Sequence, residues 1–440
     1  MCSRFIFATD IKLKRRIDDC LKPAKPLGSK FRIKMIHPTL RFFVVSIPIV
    51  AWLTGCGNLH PRKPLPAALA GQAHPAGYRD IRDWGDHYSP VLQSSVASAL
   101  REEAKKDNPY GQTPIQYLSL SGGGMNGAFG AGFLCGWTAQ GSRPTFDFVT
   151  GISAGALLSP FAFLGTNHDN ALREIYANLQ PGDLFRRKGW VRILRDDSAF
   201  DTTPLRCLLE RYVTRELLAE IAREHQKGRR LWIGTANLDA RRPVIWDMGQ
   251  IAASDHPDAT NLFIQVMMAS AAIPGAFPPV YFTVEANGET YDELHVDGGI
   301  GRQVFAYGPV LHLDEIRRQL DESGRERPAE LFIIRNGDLG THYDPVKPKA
   351  LPIVMSSLRA LTHHQADGDF YRMFVYAGRD KCRYNLTGIP TAYQRQTTKD
   401  FDGGEMKRIF GLGEQMGRAG SSWISSPWDE LTLPPTPTAP

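Results

Sequence analysis

Residues 146–155 read Phe146-Asp147-Phe148-Val149-Thr150-Gly151-Ile152-Ser153-Ala154-Gly155. The first five residues are strand-like, and a helix-like run begins at Ala154. Between them lies a GxSxG turn formed by Gly151, Ser153 and Gly155. A serine at a sharp strand-to-helix turn projects its hydroxyl out of the sheet, and small neighbours let the turn close. The helix amino terminus behind it brings positive dipole to any developing oxyanion. By chance alone the motif turns up in on the order of one chain in ten of this length, so its surroundings have to decide. The plainer reading is a serine N-cap inside a glycine turn.

Upstream, the strand-like Ile115–Leu120 (IQYLSL) runs into Gly122-Gly123-Gly124-Met125-Asn126-Gly127, which opens a helical pattern over Asn126–Gln140. Consecutive glycines expose backbone N–H groups and let a ligand atom approach the main chain. That suits an oxyanion hole. Gly122, Gly124 and Gly127 also satisfy GxGxxG, the dinucleotide fingerprint, with Asp147 as the acid about 20 residues on. The loop alone does not choose. Ser153 does, because a dinucleotide-binding domain has no use for a nucleophile at the end of the next strand.

Downstream, Asp297-Gly298-Gly299 follows the strand-like Glu293–Val296. A carboxylate before two glycines at a strand end is left free as the backbone turns away. The plainer reading is a turn aspartate. Asp402-Gly403-Gly404 competes with it, but lies in a polar stretch just ahead of a helix, where an aspartate is an N-cap. An apolar strand favours Asp297 as the functional residue.

Further strand-like stretches are Leu231–Asp239, Val244–Met248, the hairpin Val280–Val296 and Leu331–Arg335. A helix is expected over Asn261–Ala272. Alternating strand, glycine turn and helix predicts an α/β fold with a mostly parallel sheet. No repeat at periods of 20–50 residues is present.

The glycine loop, the GxSxG serine and the DGG aspartate, in this order, resemble the patatin-like phospholipases. Ala269–Pro279 (ASAAIPGAFPP) is similar to that family's segment between serine and aspartate. The resemblance covers roughly residues 115–310. It implies a three-layer α/β fold and a Ser–Asp dyad without histidine, acting on fatty acyl esters. Ser153 would be the nucleophile and Asp297 the base, with Gly122, Gly123 and Gly124 lining the oxyanion loop. The family usually has Arg or Lys where this chain has Asn126. That leaves open an inactive, lipid-binding or scaffolding relative. His295, two residues before Asp297 on the same strand face, makes a histidine-assisted site conceivable, though a hydrogen-bonded neighbour is the plainer reading. A triad using His363 or His364 is the enzymatic rival.

The bulk composition is ordinary: 440 residues, 42% hydrophobic, 22% charged, formal net charge +6. No Lys/Arg tract of nucleic-acid type marks the C-terminal half, so no nucleic-acid partner is expected. The six cysteines form no CxxC pair, and no HExxH, EF-hand or Walker-type motif appears. No metal and no cofactor are expected.

Phe42–Leu53 (FFVVSIPIVAWL) is an apolar run behind Lys34 and Arg41. It is shorter than the roughly 20 residues of a membrane span, and reads as the core of a secretory signal. It ends Leu53-Thr54-Gly55-Cys56, which resembles a bacterial lipobox with Cys56 lipidated. Asn58 rather than aspartate two positions later suggests an outer-membrane lipoprotein facing the periplasm. Met35 would give a signal of normal length. The expected organisation is a signal over 1–55, a lipidated cysteine with a Pro/Ala/Gly-rich tether and helix over 56–110, a catalytic domain over 115–310, a C-terminal α/β extension packing on it over 311–430, and a disordered tail over 431–440. Phe185–Leu194 (FRRKGWVRIL) mixes basic and aromatic residues and reads as a solvated loop or a membrane-touching one.

Overall fold

The computed structural model describes residues 62–104, 114–189, 196–312, 316, 328–341, 343, 345–397, 399, 401–420 and 422–429. Cys56, the signal segment and the 431–440 tail lie outside them, as do residues 190–194 of the basic-aromatic stretch.

A parallel strand covered on both faces must bring apolar side chains to both. Among the described residues twelve strands form in chain order: β1 (His74–Pro75), β2 (Arg82–Trp84), β3 (Ile115–Leu120), β4 (Phe148–Ile152), β5 (Arg186–Arg187), β6 (Phe200–Asp201), β7 (Arg230–Asn237), β8 (Arg242–Asp247), β9 (Val280–Ala286), β10 (Glu289–Asp297), β11 (Ala329–Asp338) and β12 (Cys382–Ile389). β5 and β6 make a separate ribbon. The other ten share one sheet in the order β1-β9-β10-β7-β4-β3-β11-β12, with β8 on the free edge of β7 and β2 on β8. β7, β4, β3, β11 and β12 are mutually parallel.

Alternate residues of these strands feed two cores. Leu118, Leu120, Val149, Leu231, Ile233, Phe332 and Ile334 enter one. Ile115, Tyr117, Phe148, Trp232, Leu331 and Ile333 enter the other. The helices are α1 (Pro90–Ala104), α2 (Gly127–Gln140), α3 (Ala154–Leu164), α4 (Asp169–Asn178), α5 (Thr203–Tyr212), α6 (Arg215–Gln226), α7 (Ala259–Ser270), α8 (Ala350–Arg379) and α9 (Gly403–Ala419), with shorter turns between them. α1 and α8 supply buried residues to the second core; α2 to α7 and α9 supply the first. The result is the expected three-layer α/β fold with a mostly parallel central sheet.

Three local expectations change. The strand read at 146–150 is Phe148–Ile152, because Asp147 is spent on β3: its carboxylate accepts the Gln116 N–H at 2.8 Å, and its own N–H donates to the Gln116 carbonyl. The Pro/Ala/Gly-rich stretch expected to be a tether is folded from Arg62 onward. Arg62 pairs with Asp239 and Asp292 at 2.6 and 2.7 Å, β1 joins β9, and Ile81 is buried. Proline is tolerated here because β1 is an edge strand. The C-terminal stretch is not laid over a finished sheet: β11 lies inside it, between β3 and β12.

The sheet also explains how two distant motifs meet. β4 runs along one edge of β7 and ends with Ile152 opposite Gly234. β10 runs along the same edge in the opposite direction and ends with Asp297 opposite Thr235. Two antiparallel strand ends therefore face each other at adjacent positions of β7.

Candidate active site

At that junction the Ser153 hydroxyl donates to Asp297 Oδ2 at 2.6 Å. Both residues are buried. Ser153 has φ 51° and ψ −120°, a left-handed conformation that non-glycine residues rarely hold. Three contacts fix it. The Ser153 N–H donates to Ser270 Oγ at 2.9 Å, and Ser270 Oγ–H donates to the Gly234 carbonyl at 2.6 Å. Behind it, a Cβ on Gly155 would lie 2.3 Å from the Leu120 carbonyl oxygen, so the GxSxG spacing is a packing requirement.

The other carboxylate oxygen, Asp297 Oδ1, accepts the Gly299 N–H at 2.7 Å. No cation lies among the groups acting on Asp297. Burial dominates, and pushes its pKa up from 3.8 to about 6, against the two hydrogen bonds. A carboxylate in that range can accept a proton from a hydroxyl it already holds.

The glycine loop approaches the same point from the neighbouring strand. The Gly122 N–H is taken by the Gln303 carbonyl at 2.9 Å, so Gly122 is not an available donor, contrary to the sequence expectation. The N–H groups of Gly123 and Gly124 have no partner among the described residues. The loop rests on Asn336 of β11. A Cβ on Gly123 would fall 1.7 Å from the Asn336 carbonyl oxygen. Asn336 Nδ2 donates to the Ser121 carbonyl, and its Oδ1 accepts the Gly130 N–H. Gln303 ties loop to aspartate: its side-chain Nε2 donates to the Gly299 carbonyl at 2.9 Å.

Asn126, where a basic residue was expected, meets a cation from elsewhere. Arg395 Nη1 donates to Asn126 Oδ1 at 3.1 Å, and Arg395 pairs with Asp338 at 2.8 Å. Next to it, the Phe401 N–H reaches Met125 Sδ at 3.0 Å. Ser270, Gln303, Asn336 and Arg395 were not read from the sequence. Ser270 lies in the ASAAIPGAFPP segment; the other three carry no local signal.

An apolar cavity, partly open to solvent, begins at Ser153, Ala154 and Gly124. It runs between α3, α4 and α5, past Leu157, Phe161 and Leu209, and Phe277 and Phe401 close one wall. Phe401, Phe277, Phe200 and Phe185 form an aromatic cluster there. Phe185 is thus a packing residue, whereas Arg186 and Arg187 point to solvent.

The competing residues lie elsewhere. Asp402 caps α9, accepting the Glu405 N–H at 2.9 Å. His295 is fully buried between Thr235 Oγ1 and Glu293, at 2.8 and 3.1 Å, and does not bond Asp297. His363 accepts from Arg335, and His364 is exposed beside Asp367. Asp147 precedes β4, at the sheet edge opposite the glycine loop, so the acid that a dinucleotide site needs is at the wrong end. Among the described residues no cluster of His, Cys, Asp or Glu could hold a metal ion.

Comparison with known proteins gives a family model and a set of distant solved structures. VipD from Legionella pneumophila is 14% identical, covering 71% of this chain and 69% of that one at a TM-score of 0.35. Human GIVD cytosolic phospholipase A2 is 10% identical, covering 64% of this chain and 51% of that one at a TM-score of 0.28. A search of curated proteins gives no match. Residues 118–308 match the family model described as Patatin-like phospholipase. The match spans the glycine loop, the serine turn and the DGG turn, and the chain therefore carries a patatin-like phospholipase domain, that of a hydrolase acting on ester bonds.

Proposed function

We propose that this chain is a serine acyl hydrolase of lipids, of phospholipase or lysophospholipase type, working through an acyl-enzyme on Ser153. The observation that carries the reading is the 2.6 Å hydrogen bond from Ser153 to Asp297 at the head of an apolar cavity. A fatty acyl chain lying in that cavity would bring its ester carbonyl to Ser153 Oγ. Asp297 takes the hydroxyl proton as the oxygen attacks. The N–H groups of Gly123 and Gly124, with that of Ala154 at the start of α3, hold the oxyanion. The carbon–oxygen bond to the alcohol breaks, and Asp297 returns the proton to the leaving oxygen. Water then gives a proton to Asp297 and attacks the acyl-enzyme, and Ser153 recovers its hydrogen as the fatty acid departs. A base held at about 6 is ionised at neutral pH yet closer to the hydroxyl in basicity than an exposed aspartate.

Lipidation of Cys56, and with it an outer-membrane location facing the periplasm, completes the proposal on the strength of the Leu53–Cys56 sequence. Ser153→Ala removes the attacking atom and leaves the cavity. It should lose nearly all turnover of a p-nitrophenyl ester and all labelling by a fluorophosphonate, with a melting temperature at or above wild type. Labelling that persists in Ser153→Ala, on another serine, would overturn the assignment.

A further inference from the structure

Helix α8 has two unlike halves. From Ala366 onward it is anchored, with Ala366, Phe370, Met373 and Ala377 buried in the second core. Before Ala366 none of its described side chains is buried. Val354 and Leu361 are 53% and 67% exposed, and Ile353, Met355 and Leu358 are also exposed. Single exposed aliphatic residues need no explanation; five on one projecting helix do. Val354, Leu358 and Leu361 follow the i, i+4, i+7 spacing of one helix face.

Between the flanking Asp344 and Asp367 the charge has one sign. Residues 345–366 contain Lys347, Lys349 and Arg359, together with His363 and His364, and no Asp or Glu. Location gives the second constraint. α8 connects the parallel strands β11 and β12, so it runs against them. Its first turns therefore lie at the sheet edge where β3 and β4 end in the glycine loop and Ser153. Contact is direct: Gln365 Nε2 donates to the Ile300 carbonyl, three residues past Asp297, and Ile300 is itself an exposed aliphatic side chain. Gln365, at the end of the exposed stretch, thus touches the turn that follows Asp297. An exposed apolar helix face with basic residues beside it suits lying on a bilayer.

We propose that the projecting turns of α8, Ala350–Gln365, dock the domain onto an anionic lipid surface beside the mouth of the Ser153 cavity. Val354, Leu358 and Leu361 enter the acyl boundary, and Lys347, Lys349 and Arg359 meet the headgroups. The inference rests on the reading of the chain as a lipid acyl hydrolase.

The test compares the full chain with its Leu358→Glu/Leu361→Glu double variant, both carrying Cys56→Ser so that lipid attachment contributes nothing. Flotation with phosphatidylglycerol and phosphatidylcholine vesicles, hydrolysis of those vesicles, and turnover of soluble p-nitrophenyl butyrate are measured together. The parent chain should float better with phosphatidylglycerol. The double variant should lose vesicle binding and vesicle hydrolysis by about tenfold or more. Its soluble-ester turnover should stay within about twofold, because surface substitutions of this kind leave the folded site alone. Equal flotation of the two chains would overturn the docking face. So would a dimer in light scattering that the double substitution splits without changing vesicle binding, since the face would then join two copies. Failure of the hydrolase reading looks different: the parent chain itself would not turn over the soluble ester.

Discussion

Asp297 is held in a state its surroundings oppose. It is buried, its two hydrogen bonds do not offset that burial, and its pKa sits near 6. Two outcomes follow from the sign. In the proposed mechanism the base must be ionised, so kcat/KM for a soluble ester should rise through about pH 6 and level off above it. A profile already flat at about pH 5 would mean that Asp297 is not the titrating base. For stability, a carboxyl with a raised folded-state pKa favours folding below its unfolded value near 3.8, and that contribution is lost as pH rises through about 6. The difference is roughly 3 kcal/mol as an order of magnitude. Asn does not titrate, so the stability of Asp297→Asn relative to wild type should improve between about pH 4 and pH 7 by up to that amount, whatever constant cost its altered bond to Gly299 adds. Paired denaturation curves across this range measure it; a constant gap would contradict the buried-carboxylate account. Ser153 and Asp297 were legible in the sequence because each needs a local backbone device, glycines around a strand end, that leaves its mark in neighbouring letters. Gln303 left none, and Ser270 showed only as part of the ASAAIPGAFPP segment. Each acts by meeting a backbone group that only the folded sheet brings near, and the Gly122 N–H was misjudged for the same reason.

At the scale of elements, the glycine loop is held by Gln303 within the family match and also by chain from outside it. Asn336 on β11 bears its underside, and Arg395 and Phe401, in the loop between β12 and α9, hold its outer side. In the proposed mechanism Arg395 acts through Asn126, to which it donates, as a positioning residue. Arg395→Gln should lower kcat for a soluble ester about tenfold with KM little changed, because the loss is in the placement of oxyanion donors and not in the acyl cavity. Arg395→Lys should recover little, since the guanidinium spans Asn126 and Asp338 at once. A matching rise in KM instead would make Arg395 a substrate-contacting group. Asp402→Ala belongs to the same scale with the opposite signature. It removes an N-cap of α9 and should cost about 1 kcal/mol of stability, with fluorophosphonate labelling rates unchanged. The strands of the central sheet could be read ahead of the structure because residues buried on both faces give continuous apolar runs. Residues 62–84 could not. Their order comes from ion pairs and edge pairing with partners about 200 positions away, and proline-rich composition masks such contacts.

For the whole molecule, the family span of 118–308 is not a body that can stand alone. It leaves β3 with one side unpaired, because β11 fills that side and β12 closes the edge. Leu331, Phe332, Ile333 and Ile334 of β11 divide between the two cores. On the first face, Met406, Ile409, Phe410 and Met416 of α9 are buried, and α9 packs so tightly on α2 that a Cβ on Gly132 would fall 2.0 Å from the Phe410 carbonyl oxygen. Each such side chain contributes roughly 1.5–3 kcal/mol by leaving water, so these eight together, before the cost of ordering them, are as large as the 5–15 kcal/mol or so by which a domain is stable. A chain ending at Val310 should therefore lack a cooperative thermal transition and should not label with a fluorophosphonate, although it keeps Ser153, Asp297 and all three glycines of the loop. Supplying residues 311–430 as a separate co-expressed chain should restore both properties if the loss is one of missing strands. A fragment ending at Val310 that melts cooperatively and labels at the wild-type rate would show that β11 and α9 are accessory, and that the glycine loop holds its shape without Asn336.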